Sequence, residues 1–263
     1  SSDIGFKTDG EVEDYDGLTI AGTDFGDAAN TYLTTTASGG ASHQISANIK
    51  LGTIGPDSET DGQPTANADG DDSTAGIGID DEDGVATFAS MLASATSYSL
   101  TNVVVANSTG SSGNLRGWID FDNSGTFDDD EASTVTSVAD GTTTASPQTL
   151  TWSSIPTDTV AQSNAKVRIR FTTDSLAAAS SDIGFKTDGE VEDYDGLNII
   201  GTDFGDAANT YLTSKASGGP FHQISANIKL GTVGPDSETD GQPTANADGD
   251  DSTAGIGIDD EDG

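Results

Sequence analysis

The sequence predicts an all-β protein: an antiparallel β-sandwich with loop-rich connector segments, arranged as a tandem repeat of 179 residues. Three observations lead to this prediction. The middle of the chain contains short runs that are rich in β-branched residues and separated by turn signals. Helical periodicity is absent, with the weak exception of residues 84–95. Finally, residues 1–84 recur almost unchanged as residues 180–263.

The internal repeat organises the whole chain. The two copies differ at seven positions, which are 19, 21, 35, 36, 41, 42 and 54 in the first copy, and a unique stretch of 95 residues separates them. Such self-similarity is typical of array proteins. We therefore divide the chain into a terminal strand of a preceding sandwich (1–20), a connector (21–79), a sandwich (80–200), a second connector (201–258) and the start of the next sandwich (259–263).

The strands of the sandwich follow from alternation of apolar and polar residues. In residues 166–171, Val167, Ile169 and Phe171 share one face and basic residues occupy the other. Residues 115–121 place Leu115, Ile119 and Phe121 on one side in the same way. Further short strands are predicted at 98–106 and 150–155, and the turn-forming residues between them favour antiparallel pairing.

Each connector is poorer in strand signals. One strand is predicted in each copy, at 44–51 and 223–230, with Ile45, Ala47, Ile49 and Leu51 sharing a face in the first. The remainder is dominated by Gly, Asp, Thr and Ala. We expect compact, loop-rich segments between sandwiches.

Charge and composition exclude several classes of protein. The formal net charge is −36, from 45 acidic and 9 basic residues. Unaided binding to nucleic acid is excluded because phosphates need a basic face. No apolar run approaches the length of a membrane-spanning helix, so membrane insertion is not expected. The absence of cysteine excludes disulfides and thiolate metal sites.

The strongest motif is DFDNSGTFDDDE at residues 120–131, which matches a 12-residue calcium-binding loop position by position. Gly125 stands sixth, where the chain turns sharply, and Phe127 is the apolar eighth residue. Calcium prefers six to eight oxygen ligands, which this spacing supplies from one turn. The alternative is an acidic hairpin loop without metal. The predicted ligands, at the first, third, fifth, seventh, ninth and twelfth places, are Asp120, Asp122, Ser124, Thr126, Asp128 and Glu131.

Other acidic runs are less specific. In a strand, Glu190 and Glu192 would face one way and Asp193 the other. Two carboxylates on one face repel each other unless a cation bridges them, by about 4 kcal/mol at 4 Å near a protein surface. Plain solvation or adaptation to high salt are the alternatives. Further candidate calcium ligands are therefore Glu190, Glu192, Asp193, Asp80, Asp81, Glu82 and Asp83.

Three motifs give the chain a family resemblance: GWIDFDNSGTFDDDE at 117–131, RIRF at 168–171 and DGEVEDYDGL at 188–197. With these motifs the chain resembles the GEVED domain family of secreted and surface-attached bacterial proteins. The flanking segments resemble those that such proteins carry between domains. The resemblance implies a β-sandwich over about residues 80–200, within long multidomain extracellular proteins, and no established enzyme activity.

Two function classes follow. The first is a calcium-binding (Ca2+) structural repeat of a long extracellular or cell-surface protein, such as an adhesin stalk, a biofilm matrix component or a filament. Its partners would be neighbouring copies or adjacent repeats, head to tail. The alternative is a binding module whose loops recognise glycan, protein or another surface. An enzyme is not expected, since His43 and His222 are one repeated position without a second His or Cys nearby.

Overall fold

The structure is a computed structural model that describes residue 5 and residues 8–14, 16–17, 20–70 and 81–249. It is all-β, with 31% of its residues in strands and 8% in short helices, as the sequence predicts. Among these described residues, no helix is long and apolar enough to cross a membrane. The predicted ligand Asp80 and the predicted segment 259–263 lie outside the described residues.

In the described residues, the regular structure consists of fourteen short strands and six 3-10 turns. In chain order the strands are β1 (Thr23–Phe25), β2 (Ser42–Gln44), β3 (Ile49–Leu51), β4 (Met91–Leu92), β5 (Tyr98–Val103), β6 (Val105–Asn107), β7 (Gly113–Ile119), β8 (Thr136–Val138), β9 (Gln148–Trp152), β10 (Gln162–Thr172), β11 (Phe185–Lys186), β12 (Glu190–Ile200), β13 (Thr202–Phe204) and β14 (Phe221–Gln223). The 3-10 turns are Asn30–Tyr32, Thr36–Ser38, Asp129–Glu131, Ala179–Asp182, Asn209–Tyr211 and Lys215–Ser217.

A five-stranded sheet in the order β4-β12-β10-β7-β8 forms the centre of the molecule. All its neighbours are antiparallel except β4 and β12. The predicted alternation in β10 is confirmed, because Val167, Ile169 and Phe171 are all buried in the hydrophobic core. Leu115 and Ile119 of β7 join them there.

The apolar face of this sheet packs against two strand pairs, β5 with β9 and β3 with β6. Leu150 and Trp152 of β9 lie so close to β7 that a Cβ on Gly117 would come within 3.0 Å of Leu150 and 3.1 Å of Trp152. This two-layer arrangement is consistent with the predicted β-sandwich. We refer to residues 85–200 as the central domain.

The opposite face of the sheet is polar and is also buried. Arg168 and Arg170 of β10 project from it, and neither is accessible to solvent. Residues 23–44 and the segment around the 3-10 turn Ala179–Asp182 cover this face. The main sheet is therefore covered on both sides.

The first connector, described over residues 21–70 and called connector 1 below, contributes strands to both layers. Strand β2 pairs with β1 and with β11, and β3 pairs with β6. The single predicted strand at 44–51 is wrong. The chain turns after Gln44, because β2 and β3 pair with different partners, and Ala47 in that turn is exposed.

The second connector, described over residues 201–249 and called connector 2, has the same local structure. Its strands β13 and β14 pair in the same register as β1 and β2, with Asp203 opposite His222 as Asp24 is opposite His43. Of the strand predicted at 223–230, only Gln223 lies in a strand, and residues 228–230 are outside regular structure.

Candidate metal centre

The loop at residues 120–131 begins directly after β7 and ends in the 3-10 turn Asp129–Glu131. One carboxylate oxygen each from Asp120, Asp122 and Glu131 lies within 4.8 Å of the other two. Asp120 and Glu131 are buried and Asp122 is half-buried. Within the described part of the chain, this is the one group of three acidic, His or Cys residues gathered so closely. The spacing of the motif thus brings its first, third and twelfth residues together.

Backbone amides of the loop hold two of these carboxylates in place. Asp120 accepts hydrogen bonds from the N–H of Ser124 at 3.1 Å and of Gly125 at 3.0 Å. Glu131 accepts from the N–H of Phe121 at 2.6 Å and of Asp128 at 2.9 Å. Gly125 has a φ of 84°, a conformation that residues with a Cβ rarely adopt, which explains the glycine at the sixth place.

The other three predicted ligands form the outer side of the loop. The hydroxyls of Ser124 and Thr126 are 3.1 Å apart, and Thr126 Oγ1 donates to Asp128 Oδ1 at 3.4 Å. All three side chains are exposed. They lie on the same short loop as the close group of Asp120, Asp122 and Glu131 but are not part of that group.

The electrostatics of the loop favour a cation. Burial raises the pKa of Glu131 to about 8, with further contributions from Asp120 and Asp122. Burial is also the main reason why the pKa of Asp120 is raised. Each carboxylate is therefore harder to ionise than in water. A bound divalent cation offsets this cost by direct attraction to the ionised groups.

A residue that the sequence analysis missed completes the surroundings of the loop. Tyr32 of connector 1 donates its hydroxyl to Asp120 Oδ2 at 2.6 Å, and its ring lies 4.8 Å from the ring of Phe127. Trp152 Nε1 donates to the carbonyl of Glu131 at 2.7 Å. Tyr32 is 88 residues away from Asp120 in sequence. No local pattern identifies such a partner.

Glu190 and Glu192 form a second, more deeply buried acidic group. Glu190 Oε2 accepts from the N–H of Leu51 at 2.5 Å, while its Oε1 is buried without a hydrogen-bond partner. Glu192 accepts from the N–H of Gly84 at 3.0 Å and from Tyr194 at 2.5 Å. Burial raises the pKa of Glu192 to about 8 and, together with Glu192, raises that of Glu190 well above its usual range.

The acidic run at residues 81–83 lies near this group. Asp81 is buried, and its negative charge contributes to the raised pKa of both glutamates. Asp81 Oδ2 also accepts from the N–H of Asp57 at 2.9 Å, and Asp83 accepts from the N–H of Thr53 at 2.9 Å. Glu82 is half-buried. These carboxylates therefore hold the chain of connector 1 next to the central domain.

Asp193 lies on the polar face of the sheet, away from these glutamates. Its carboxylate forms a buried ion pair with Arg168, at 2.7 Å to Nε and 2.8 Å to Nη2. The second oxygen also accepts from the N–H of Ala28 at 2.9 Å. These contacts use both carboxylate oxygens of Asp193 and favour an ion pair over metal binding there.

The arginines of β10 bind connector 1 through its backbone. Arg168 Nη1 donates to the carbonyl of Tyr32 at 2.9 Å, and Arg170 Nη2 donates to that of Ser42 at 3.2 Å. Arg170 Nε donates to Nε2 of His43 at 2.9 Å, so Nδ1 of that ring carries the proton and donates to the carbonyl of Asp188 at 2.7 Å. This role for His43 is structural.

Residues 114–195 match the family model described as the GEVED domain. The chain contains a GEVED domain. The match covers β7 through the first half of β12, including the loop at 120–131 and both arginines. Searches of the curated proteins and of the solved structures found no match.

The GEVED motif itself, residues 189–193, is where the GEVED domain meets connector 1. A Cβ on Gly189 would lie 1.9 Å from the carbonyl oxygen of Phe171, and the N–H of Val191 donates to Asp24 at 2.8 Å. Glu190 accepts a hydrogen bond from the N–H of Leu51, and Asp193 accepts one from the N–H of Ala28. Three of the motif's residues therefore form hydrogen bonds with connector 1.

Proposed function

We propose that this chain is a calcium-binding structural repeat of a long extracellular protein, arranged head to tail with adjacent repeats. The observation that carries the proposal is the group of three carboxylates, Asp120, Asp122 and Glu131, within 4.8 Å of one another. They lie on a loop whose spacing is that of a calcium-binding motif. Hard oxygen donors in this number suit calcium better than transition metals. The proposal includes no catalytic role.

The extracellular setting rests on two further arguments. Calcium sites of extracellular modules bind with Kd of about 10⁻⁴–10⁻³ M, which fits a fluid rich in calcium. At about 10 mM calcium, one such site would stabilise the fold by roughly 1.4–2.7 kcal/mol. The net charge of −36 gives the chain a large excess of carboxylates whose mutual repulsion cations would reduce.

The arrangement as a tandem array rests on the recurrence of residues 1–84 at 180–263. The central domain contacts connector 1 on its polar face and connector 2 near Ser94 and Thr157. Both ends of the domain are thus joined to copies of the same sequence. Such contacts are heterologous and propagate as lines rather than closing as dimers.

Glu131→Gln tests the calcium site directly. The variant keeps the shape of the side chain and its acceptor oxygen, but it cannot chelate calcium as an anion. We expect isothermal titration calorimetry to show one binding event fewer than in the wild-type chain. Calcium should then raise the melting temperature less, by about 2–4 °C for each kcal/mol of lost site energy.

Asp130→Asn is the matched control, because it removes one charge from the same loop at an exposed position outside the predicted ligands. It should leave the number of binding events unchanged. Equal losses in both variants would mean that calcium responds to total charge rather than to the loop. Unchanged binding in Glu131→Gln would remove Glu131 from the ligands.

We propose the group of Glu190, Glu192 and Asp81 as a second cation position. The supporting observation is the buried oxygen Glu190 Oε1, which lacks a hydrogen-bond partner. Glu190→Gln should lower the calcium stoichiometry without affecting the loop at 120–131. If the stoichiometry is unchanged, these carboxylates do not bind calcium, and protonation alone accounts for their burial.

A further inference from the structure

Connector 2 exposes an unusual set of large apolar side chains. Tyr211 is 77% exposed and Leu230 is 82% exposed, and Ile228 is exposed to a similar degree. Leu212 and Phe221 are exposed as well. Apolar residues grouped in this way on one segment typically mark an interaction surface.

Connector 1 provides an internal reference for these residues. Tyr32, which corresponds to Tyr211, is 7% exposed, and Leu51, which corresponds to Leu230, is fully buried. The difference arises because connector 1 lies against the central domain: Tyr32 contacts the loop at 120–131, and Leu51 lies in β3, which pairs with β6.

The exposure of connector 2 does not result from loss of its own fold. Strands β13 and β14 pair in the register of β1 and β2. The turn at Asn209 has the same hydrogen bonds as the turn at Asn30, with Thr213 N–H donating to Asn209 at 3.1 Å and Thr34 N–H to Asn30 at 3.2 Å. Residues 202–223 of connector 2 are therefore preformed and differ from their counterparts in connector 1 in what covers them.

Gly26 and Gly205 show the same difference at a single atom. A Cβ on Gly26 would lie 2.4 Å from Asp193 Oδ2, so connector 1 needs glycine where the GEVED strand approaches. Gly205 is the same residue in connector 2, but a Cβ there would meet nothing within 4 Å. Its glycine is required only if a carboxylate placed like Asp193 approaches it.

From these observations we infer that connector 2 is a docking surface for a second copy of the central domain, joined in tandem after it. The surface would bind the arginines corresponding to Arg168 and Arg170, as connector 1 binds them through Tyr32, Thr34 and His43. Their counterparts Tyr211, Thr213 and His222 are all retained. This inference rests on the proposed tandem arrangement and deepens it.

Two of the substitutions between the connectors, Phe221 and Lys215, are compatible with this docking. At Ser42, which corresponds to Phe221, the contacts with the central domain and its flanking segment come from the backbone: its N–H donates to Gly184 and its carbonyl accepts from Arg170. The Phe221 ring instead stacks on Phe204 with centroids 4.9 Å apart. Lys215, which replaces Thr36, donates to the carbonyl of Ser94 at 2.7 Å and so ties connector 2 to the preceding domain.

The test extends the full chain by the sequence of residues 85–200, joined after Gly263, so that connector 2 is followed by a second central domain. Hydrogen exchange of residues 203–230 should slow at least about tenfold relative to the 263-residue chain and approach that of residues 24–51. Equal exchange rates in the two chains would overturn the inference.

Gly205→Ala supplies the matched variant. In the 263-residue chain it should shift the melting temperature by less than about 1 °C, whereas Gly26→Ala should lower it by several degrees. In the extended chain Gly205→Ala should lower the melting temperature of the added domain as well. An unchanged melting temperature for Gly205→Ala in the extended chain would overturn the inference. An added domain that stays unfolded would also overturn it, because the same sequence folds next to connector 1.

Calcium titration of the 263-residue chain separates this inference from the proposed function. If the loop at 120–131 binds calcium but residues 203–230 stay unprotected in the extended chain, the docking surface is wrong and the calcium-binding function stands. If residues 203–230 become protected in the extended chain but the loop at 120–131 does not bind calcium, the docking surface stands and the calcium-binding function is wrong.

Discussion

Two copies of one sequence occupy opposite environments in this molecule. The residues EVEDYDGL form the buried core of β12 at 190–197, while the described residues of the same sequence at 11–18 lie outside any strand and are exposed. The connectors show the reverse order, since connector 1 is covered and connector 2 is not. Val191 and Tyr32 are buried because they belong to or contact the central domain, while their twins Val12 and Tyr211 are exposed. Local sequence alone therefore does not decide whether these segments are buried. Contacts with residues distant in the chain decide it.

The offset of 179 residues pairs several buried residues of one copy with an exposed twin in the other, as for Leu51 with Leu230 and His43 with His222. Each such pair supplies a test substitution and a matched control within one chain. A substitution in the covered copy should destabilise the protein, while the same substitution in its twin should have little effect.

The largest difference is expected for Asp193→Asn against Asp14→Asn. Asp193 pairs with the fully buried Arg168, so the variant leaves a buried positive charge without its partner. Breaking one side of a buried ion pair typically costs about 3–5 kcal/mol. Asp14 is exposed, and its variant should change the free energy of unfolding by less than about 0.5 kcal/mol.

Chemical denaturation with calcium and with EDTA measures both variants. If Asp193 acts through Arg168, the loss should be the same in both conditions. A loss that appears in calcium and vanishes in EDTA would instead make Asp193 a calcium ligand.

A smaller difference is expected for Leu51→Ala against Leu230→Ala. Leu51 is fully buried in the core, and truncation of a buried leucine costs about 3 kcal/mol through lost burial and the cavity that remains. Leu230 is exposed, so its variant should change stability by less than about 0.5 kcal/mol. Equal losses measured by urea denaturation would show that connector 2 is also covered in solution.

The smallest difference concerns pH. Burial, together with Arg170, holds the pKa of His43 well below its usual value. The unfolded chain therefore binds a proton below about pH 6.5 that the folded chain does not. Stability from this residue is present above that pH and is lost as the pH falls, by up to about 1.4 kcal/mol per unit. Its twin His222 is exposed.

The measurement is the difference in unfolding free energy between wild type and His43→Gln at pH 7 and at pH 5. Lys186 and Arg170 face the ring and stay charged throughout this range. Buried glutamates such as Glu192 bind protons in the folded state and act in the opposite sense, so variants rather than raw curves must be compared. The difference should shrink toward pH 5. A similar trend in His222→Gln would contradict the assignment.

Much of the central domain could be predicted from its sequence. The alternation in β10 and β7 identified core residues correctly, because one buried face per strand imposes a period of two. The loop at 120–131 was recognisable because its ligands come from one short segment. Arg168 and Arg170 were unexpected as fully buried residues, since their partners are carbonyls and side chains of a distant connector.

The repeat, the all-β class and the spacing of the loop that gathers Asp120, Asp122 and Glu131 follow from the sequence alone. These are properties of neighbouring residues and of self-similarity. The tertiary structure was needed to show which segments of the repeated sequence are buried, that Tyr32 donates to Asp120, and that Asp193 pairs with Arg168. Local sequence cannot reveal these features because they depend on contacts between residues distant in the chain, such as Tyr32 and Asp120, which are 88 residues apart. In addition, two nearly identical segments cannot both occupy the same face of one sheet.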